Sequence, residues 1–141
     1  MRDLRVDYVG AAGRVRAVDR VSFAIGPGEV LGLAGESGSG KSTIAQAILR
    51  ILQPPAEITG GSIRVRGRDV LAMTEAELRE VRWRDVALVM QSAISALNPV
   101  VAVGEQIIDA IRAHRPVSRK VARDRAALLL DRVRVGAGRL G

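Results

Sequence analysis

The stretch Gly-Glu-Ser-Gly-Ser-Gly-Lys-Ser-Thr, at residues 35–43, decides how the rest of this sequence is interpreted. It fits the pattern G-x-x-x-x-G-K-[ST], in which a glycine-rich loop surrounds phosphate groups. An apolar run at residues 30–34 precedes the stretch, and a helical pattern follows it to about residue 52. The order predicted here is therefore a strand, a phosphate-binding loop and a helix, which is the context that the pattern requires.

Each residue type in this loop has a chemical role. Successive backbone N–H groups and the positive end of the helix dipole bind the phosphates of a nucleoside triphosphate. Glycines allow positive φ angles and a close approach of the backbone to phosphate. Lys41 would bring a positive charge to the β- and γ-phosphates, and the Ser42 hydroxyl would bind Mg²⁺. The candidate phosphate-binding residues are Gly35, Glu36, Ser37, Gly38, Ser39, Gly40, Lys41, Ser42 and Thr43.

A flexible Gly-Ser linker is the alternative interpretation of this stretch. Linkers do not follow an apolar strand and open a helix, which favours the phosphate-binding interpretation. The composition, 48% hydrophobic and 26% charged over 141 residues, is typical of a folded domain. Cysteine is absent, which excludes disulfides and cysteine-ligated metal. No signal-peptide pattern or bilayer-spanning apolar run is found, so we expect a soluble, cytoplasmic protein.

The net charge of +7 raises the question of nucleic-acid binding. Aromatic residues make up only 2% of the chain, which leaves no platform for base stacking. The arginines are also scattered along the whole sequence instead of being clustered. We therefore interpret the charge as a solvated surface and expect no nucleic-acid partner.

The strand predictions depend on two different patterns. Alternating apolar and polar residues predict strands at residues 4–9, 15–18, 21–25 and 62–66, with turns at 10–13, 26–28 and 58–61. Continuous apolar runs at residues 30–34 and 86–90 predict two central strands that are covered on both faces.

The helix predictions follow from 3.6-residue periodicity and from end signals. The helix after the glycine loop should bury Ile44, Ala47, Ile48 and Ile51 and end before Gln53. Thr74 and Glu77 have the spacing of a capping box, which predicts a helix to about residue 81. Two further helices are predicted at residues 103–114 and 119–133.

Several segments together resemble a known family. They are residues 17–23, the run from residue 28 to residue 43, Val-Met-Gln ending at Gln91, Ser-Ala-Leu-Asn-Pro at 95–99, and Gly-Glu-Gln-Ile at 104–107. This set resembles the ATP-binding subunits of ABC transporters, most closely the oligopeptide/dipeptide (and nickel) importer branch.

The resemblance implies an α/β fold of the P-loop NTPase (ABC) type. Residues 1–92 would form the N-terminal part of the ATPase core, including an antiparallel β subdomain. Residues 93–141 would be the beginning of a helical subdomain, so the chain is expected to be a truncated, N-terminal portion.

The resemblance also implies cofactors, partners and further site residues. ATP and Mg²⁺ would be the cofactors, with Tyr8 stacking on adenine, Val18 beside it, and Ser42 and Gln91 as metal ligands. Gln91 could also position the attacking water. An ordinary strand aromatic and plain core packing are the alternatives for Tyr8 and Val18. Permease subunits would contact the segment after Gln91, at residues 92–99. A second ATP-binding subunit would complete a dimer. The protein would be cytoplasmic and would lie peripherally on the inner face of the membrane.

Three motifs of that family have no counterpart in this sequence: Leu-Ser-Gly-Gly-Gln, an apolar strand ending in Asp-Glu, and a switch histidine. Leu128-Leu129-Leu130-Asp131 imitates the second, but Arg132 follows in place of Glu, and His114 lies too early for the third. We therefore expect no competent ATPase from this chain alone. The alternatives are a non-catalytic nucleotide-binding or subunit-interaction module, a decayed gene fragment, and an unrelated P-loop kinase or GTPase.

Overall fold

In the computed structural model, the described residues are 1–11, 13–90 and 96–136. The chain divides into two compact units, Met1–Ala87 and Leu88–Gly141, and each is described by itself. The boundary predicted between residues 92 and 93 lies outside the described residues.

A three-stranded antiparallel sheet opens the first unit. Strand β1 (Arg2–Gly10) is central, with β2 (Gly13–Val21) on one side and β3 (Ala56–Ser62) on the other. The β1–β2 hairpin pairs Asp7 with Arg16 and Gly10 with Gly13. The strand predicted at residues 4–9 is confirmed as part of β1. The strand predicted at residues 15–18 is confirmed as part of β2, which is longer than predicted. The strand predicted at 21–25 is wrong, because β2 ends at Val21 and residues 22–25 form no strand.

The sheet buries one face against two helices. Leu4 and Val6 of β1 have no solvent exposure, as expected for alternate residues facing a core. The helices are α1 (Lys41–Leu49) and α2 (Glu75–Val81). The buried cluster consists of Leu4, Val6, Val18, Ile44, Ala47, Ile63, Val70, Met73, Leu78 and Val81.

Both helices of the first unit agree with the predictions in type, and α2 also agrees in its start signal. The predicted capping box is confirmed, because the Thr74 side chain accepts from the Glu77 N–H and Glu77 accepts from the Thr74 N–H. Helix α1 begins and ends slightly earlier than predicted. Of its predicted buried residues, Ile44 and Ala47 are buried, while Ile48 and Ile51 are half-buried.

Two arginines join the C-terminal end of α1 to the following segments. Arg82 donates from Nε to Leu49 O and from Nη2 to Arg50 O, both at 3.0 Å. Arg50 donates in turn to Met73 O at 2.6 Å. A guanidinium satisfies terminal carbonyls and complements the negative end of the helix dipole. These contacts hold α1, and with it the loop before it, against α2.

The turn predicted at residues 58–61 is wrong, because these residues belong to β3. The two adjacent glycines suggest a turn, but β1 pairs along this segment, with Arg5 opposite Gly60 and Arg2 opposite Ser62 and an irregularity between the two pairs. The strand predicted at 62–66 appears only in part, as the short strand β4 (Arg64–Val65) paired with β5 (Arg68–Asp69). A 3₁₀ turn, Val70–Ala72, leads into α2.

Both predicted central strands are also wrong. Residues 30–34 and 87–90 have no strand structure, and Val30 and Val89 are 97% and 93% exposed. A strand of a parallel sheet needs ladder partners on its edges and cover on both faces. Among the described residues, no segment pairs with either run, and only Val86 makes an isolated bridge, to Arg82.

The second unit contains helices α3 (Val103–His114) and α4 (Arg119–Arg132), as predicted. Ile108 of α3 packs against Ala122 and Ala126 of α4. Ser118 caps α4 by accepting from the Val121 N–H, and Arg119 pairs with Glu105. None of the helices in the described ranges is both long and apolar enough to cross a membrane.

Candidate phosphate-binding site

The glycine loop turns directly into α1. Gly38 and Gly40 have φ angles of 81° and 88°, in the left-handed region that favours glycine. A Cβ atom on Gly40 would lie 2.5 Å from the Ala17 carbonyl oxygen of β2, which no side chain tolerates. Glycine is therefore required at the start of α1 both by the backbone conformation and by the close approach of β2.

The Lys41 ammonium group is enclosed by its own loop. Its Nζ donates to Gly35 O at 2.9 Å, to Glu36 O at 2.6 Å and to Ser39 Oγ at 3.1 Å. The loop is closed further by a bond from Ser39 N to Glu36 O. A positive charge is thus fixed within the loop, next to the N-terminus of α1.

The first turn of α1 suits an anion. Its N-cap, Gly40, supplies no side-chain hydrogen bond, and its first turn carries no acidic residue. The early N–H groups of a helix need an acceptor from outside the helix, and the dipole favours a negative one. Lys41 and these N–H groups therefore fit a phosphate group. Ser42 is exposed in the same turn, which fits a hydroxyl ligand for Mg²⁺. Gln91, the other predicted metal ligand, lies outside the described residues.

Tyr8 and Val18 are both brought next to the loop. The Tyr8 hydroxyl is 3.4 Å from Thr43 Oγ1 in the first turn of α1, and Tyr8 is 36% exposed. Val18 is only 3% exposed, and its Cγ2 atom would lie 3.5 Å from a Cβ on Gly40. In this structure Val18 packs in the core, which is the alternative that the sequence left open. The roles of Tyr8 and Val18 toward adenine remain predictions.

The sequence did not single out Asp7, which is the fully buried carboxylate of β1. It accepts from Arg16 Nε at 3.0 Å, from Arg14 Nη1 at 3.3 Å and from Thr59 Oγ1 at 2.9 Å. The hydrogen bond from Arg16, with smaller contributions from Thr59 and Arg14, outweighs burial and lowers the pKa of Asp7. The hairpin register was the signal that could have revealed this group, because it places Arg16 opposite Asp7.

In the second unit, residues 98–101 form a turn before α3, at the end of the segment predicted to contact a permease. Gln106 of α3 binds this turn through its side-chain amide. Its Nε2 donates to Asn98 O at 2.9 Å and to Val101 O at 2.8 Å, and its Oε1 accepts from Asn98 N at 2.9 Å. Residues 92–95 of the predicted contact segment lie outside the described residues.

Comparison with known proteins gives a consistent result. Residues 18–138 match the ABC transporter family. The chain is 43% identical over 133 residues to a provisionally named peptide import ATP-binding protein of Brucella abortus, covering 94% of this chain and 40% of the relative. It is 40% identical over 136 residues to a provisionally named D,D-dipeptide transport ATP-binding protein of Escherichia coli, covering 96% and 42%. It is 35% identical over 134 residues to an oligopeptide transport ATP-binding protein of Bacillus subtilis, covering 94% and 37%. The chain thus spans about 40% of the length of the relatives that it matches.

Proposed function

This chain belongs to the ABC transporter family, and on that premise we propose that residues 35–43 bind the phosphates of Mg-ATP for a peptide-type importer. The peptide substrate class is supported by the names of the relatives, several of which are peptide, dipeptide or oligopeptide transport ATP-binding proteins. The activity of a complete subunit is part of this proposal, because the chain spans only part of those relatives.

The arrangement around Lys41 carries the proposal. Its ammonium group is held at 2.6–3.1 Å by two carbonyls and a hydroxyl, beside a helix start that has no capping side chain. Phosphate oxygens are charged acceptors, so they compete well with the neutral acceptors of the loop for Lys41. The N–H groups of the first turn of α1 add donors on the same side.

Other residues complete the site in this proposal. Ser42 would hold Mg²⁺, which neutralises phosphate charge when bound, and Gln91 would act with Ser42. Tyr8, which is 36% exposed and has its hydroxyl 3.4 Å from Thr43 Oγ1, would support the adenine ring. Stacking on an aromatic face tolerates any base, so Tyr8 would contribute affinity more than nucleotide selectivity.

The binding test uses the two lysines of the chain. Lys41→Ala should weaken binding of Mg-ATP by about 10- to 100-fold, because a charged hydrogen-bonding group contributes about 1.5–3 kcal/mol. Lys120→Ala is the matched control, since it removes the same charge from an exposed position of α4. Titration with a fluorescent ATP analogue measures both. Equal affinities of wild type and Lys41→Ala would overturn the assignment.

The partners in this proposal are permease subunits, which contact the segment after Gln91, and a second ATP-binding subunit. The protein would then lie on the inner face of the membrane, held there by the permease. The names of the relatives, as peptide import and oligopeptide transport ATP-binding proteins, support a role in transport, which is the premise of this part of the proposal.

A second candidate function is nucleotide binding without turnover. Residues Leu128, Leu129, Leu130 and Asp131 lie within helix α4, so this apolar run with its Asp is not a metal-binding strand. Without a glutamate to polarise water, electrostatic stabilisation of phosphoryl transfer is incomplete. Phosphate release by the purified chain distinguishes the two candidates. Steady release that Lys41→Ala abolishes would reject the second candidate, and ATP binding with no release would support it.

A further inference from the structure

Two of the irregularities in the pairing of β1 lie close to Asp7. The register of β1 with β2 slips between Val6 and Asp7, which leaves Ala17 of β2 as an extra residue between paired neighbours. The register of β1 with β3 slips between Arg5 and Val6, and Thr59 of β3 is the extra residue there. Bulges of this kind bend a strand and redirect its groups, and they are frequent next to functional sites.

The hairpin meets the start of α1 at two points beside the first of these bulges. A Cβ on Gly40 would lie 2.5 Å from the Ala17 carbonyl oxygen, and the next residue of β2, Val18, is buried in the core. Tyr8 is the second point, with its hydroxyl 3.4 Å from Thr43 Oγ1. Core packing therefore supports the contact at Ala17, whereas Tyr8 is 36% exposed and depends more on the register of its strand.

The Asp7 carboxylate binds beside both bulges. It accepts from Arg16 Nε at 3.0 Å, next to Ala17, and from Oγ1 of Thr59, the extra residue of β3, at 2.9 Å. Arg14 Nη1 is a third donor, at 3.3 Å. A fully buried carboxylate is strongly unfavourable without such donors, so these contacts select the register in which all three are made.

We propose that Asp7 is a positioning residue, which fixes the register of the sheet and thereby holds Tyr8 against the nucleotide site. Neighbouring residues of a strand point to opposite faces, so Asp7 lies on the face away from α1 and acts through Tyr8. The inference rests on the proposed function, in which Tyr8 supports the adenine ring. It assigns to Asp7 an effect on the adenine part of ATP and none on the phosphates that Lys41 binds.

The test compares two ligands of the full chain by isothermal titration calorimetry. Mg-ATP carries both adenine and phosphates, whereas Mg-tripolyphosphate carries the phosphates alone. Asp7→Asn keeps the size of the side chain and removes its charge. It should weaken binding of Mg-ATP by about three- to tenfold, which is part of what a contact between an aromatic ring and a base contributes. Binding of Mg-tripolyphosphate should be unchanged.

Asp19→Asn is the matched control. Asp19 lies in the same hairpin and also pairs with Arg16, at 3.4 Å, but its side chain is 51% exposed. The control removes the same charge and should change neither affinity. Thr59→Val removes one donor to Asp7 with little change of shape, so it should give a selective loss of about two- to threefold for Mg-ATP. This variant provides the same comparison if Asp7→Asn does not fold.

A double-variant cycle separates positioning from a purely structural role. In the Tyr8→Ala background, Asp7→Asn should cause no further loss of Mg-ATP affinity, because its effect passes through Tyr8. No loss of Mg-ATP affinity in Asp7→Asn, equal losses for the two ligands, or additive losses in the double variant would overturn the inference and leave phosphate binding in place. A wild type that binds neither ligand would overturn the proposed function as well.

Discussion

The hairpin of residues 2–21 and the run of residues 30–34 are both rich in apolar residues, yet only the hairpin forms strands. In the hairpin, β1 pairs with β2 along one edge, and β3 pairs with the other edge of β1. Residues 30–34 have no ladder partner among the described residues, and their side chains are exposed. The difference shows that an apolar run becomes a strand only where a second segment completes its hydrogen bonds.

The largest expected effect compares one leucine from each region. Leu4 in β1 has no exposure, whereas Leu33 is 46% exposed. Leu4→Ala should lower the free energy of unfolding by about 2–5 kcal/mol, because it leaves a cavity in the core. Leu33→Ala should change it by less than about 0.5 kcal/mol. Urea denaturation measures both, and a comparable loss from Leu33→Ala would mean that residues 30–34 are buried in solution.

An intermediate effect compares a glycine of β3, the strand that pairs with the hairpin, with a glycine of the run at residues 30–34. Gly61 of β3 has φ of 89°, and a Cβ there would lie 2.5 Å from Asp3 O and 2.6 Å from Arg2 O. Gly61→Ala should therefore destabilise the fold by about 1–3 kcal/mol. A Cβ on Gly32 would meet no atom of the described residues within 4 Å, and φ there is not positive, so Gly32→Ala should be within about 0.5 kcal/mol of wild type. Thermal unfolding of the two variants tests this pair, and equal shifts would contradict the described pairing of β1 with β3.

The smallest effect is confined to acid pH and belongs to the hairpin alone. Because Arg16 lowers the pKa of Asp7 in the folded chain, ionised Asp7 stabilises the fold above the unfolded pKa of about 3.9. This contribution is lost as the pH falls from that value through the lower folded-state pKa. Asp7→Asn should therefore lose less stability than wild type as the pH falls below the unfolded pKa of Asp7. Equal slopes of unfolding free energy against pH would show that the contacts of Asp7 do not perturb its ionisation.

Sequence predictions succeeded where the signals were local. Helix α2 was predicted from the Thr74 and Glu77 capping box, and α3 from its periodicity, and both were confirmed. The predicted α/β P-loop fold class was confirmed by the match to the ABC transporter family. The helix predictions depend on residues within a few positions of one another, so the spacing of these residues in the sequence is sufficient to predict the helices.

Predictions failed where the deciding partner is distant in the sequence. Gly60 and Gly61 favour a turn by composition, but β1 pairs with this segment across more than 50 residues and makes it part of a strand. Asp7 was missed for a different reason, because its two arginine partners lie only seven and nine positions away, and their place next to Asp7 depends on the exact register of the hairpin. The run at residues 30–34 was predicted as a strand because a continuous apolar run is typical of a central strand. Strand formation also depends on neighbouring segments, which composition does not reveal.

The central claim, that residues 35–43 bind nucleotide phosphates, is tested most directly by amide NMR of the chain. Mg-ATP should shift the signals of Gly38, Gly40, Lys41 and Ser42 most strongly, because their N–H groups lie in the glycine loop and the first turn of α1. AMP, which lacks the β- and γ-phosphates, should leave these signals nearly unchanged at the same concentration. Saturable shifts at these residues with Mg-ATP alone are the result that we expect. Shifts confined to residues outside 35–43, or none, would contradict the claim.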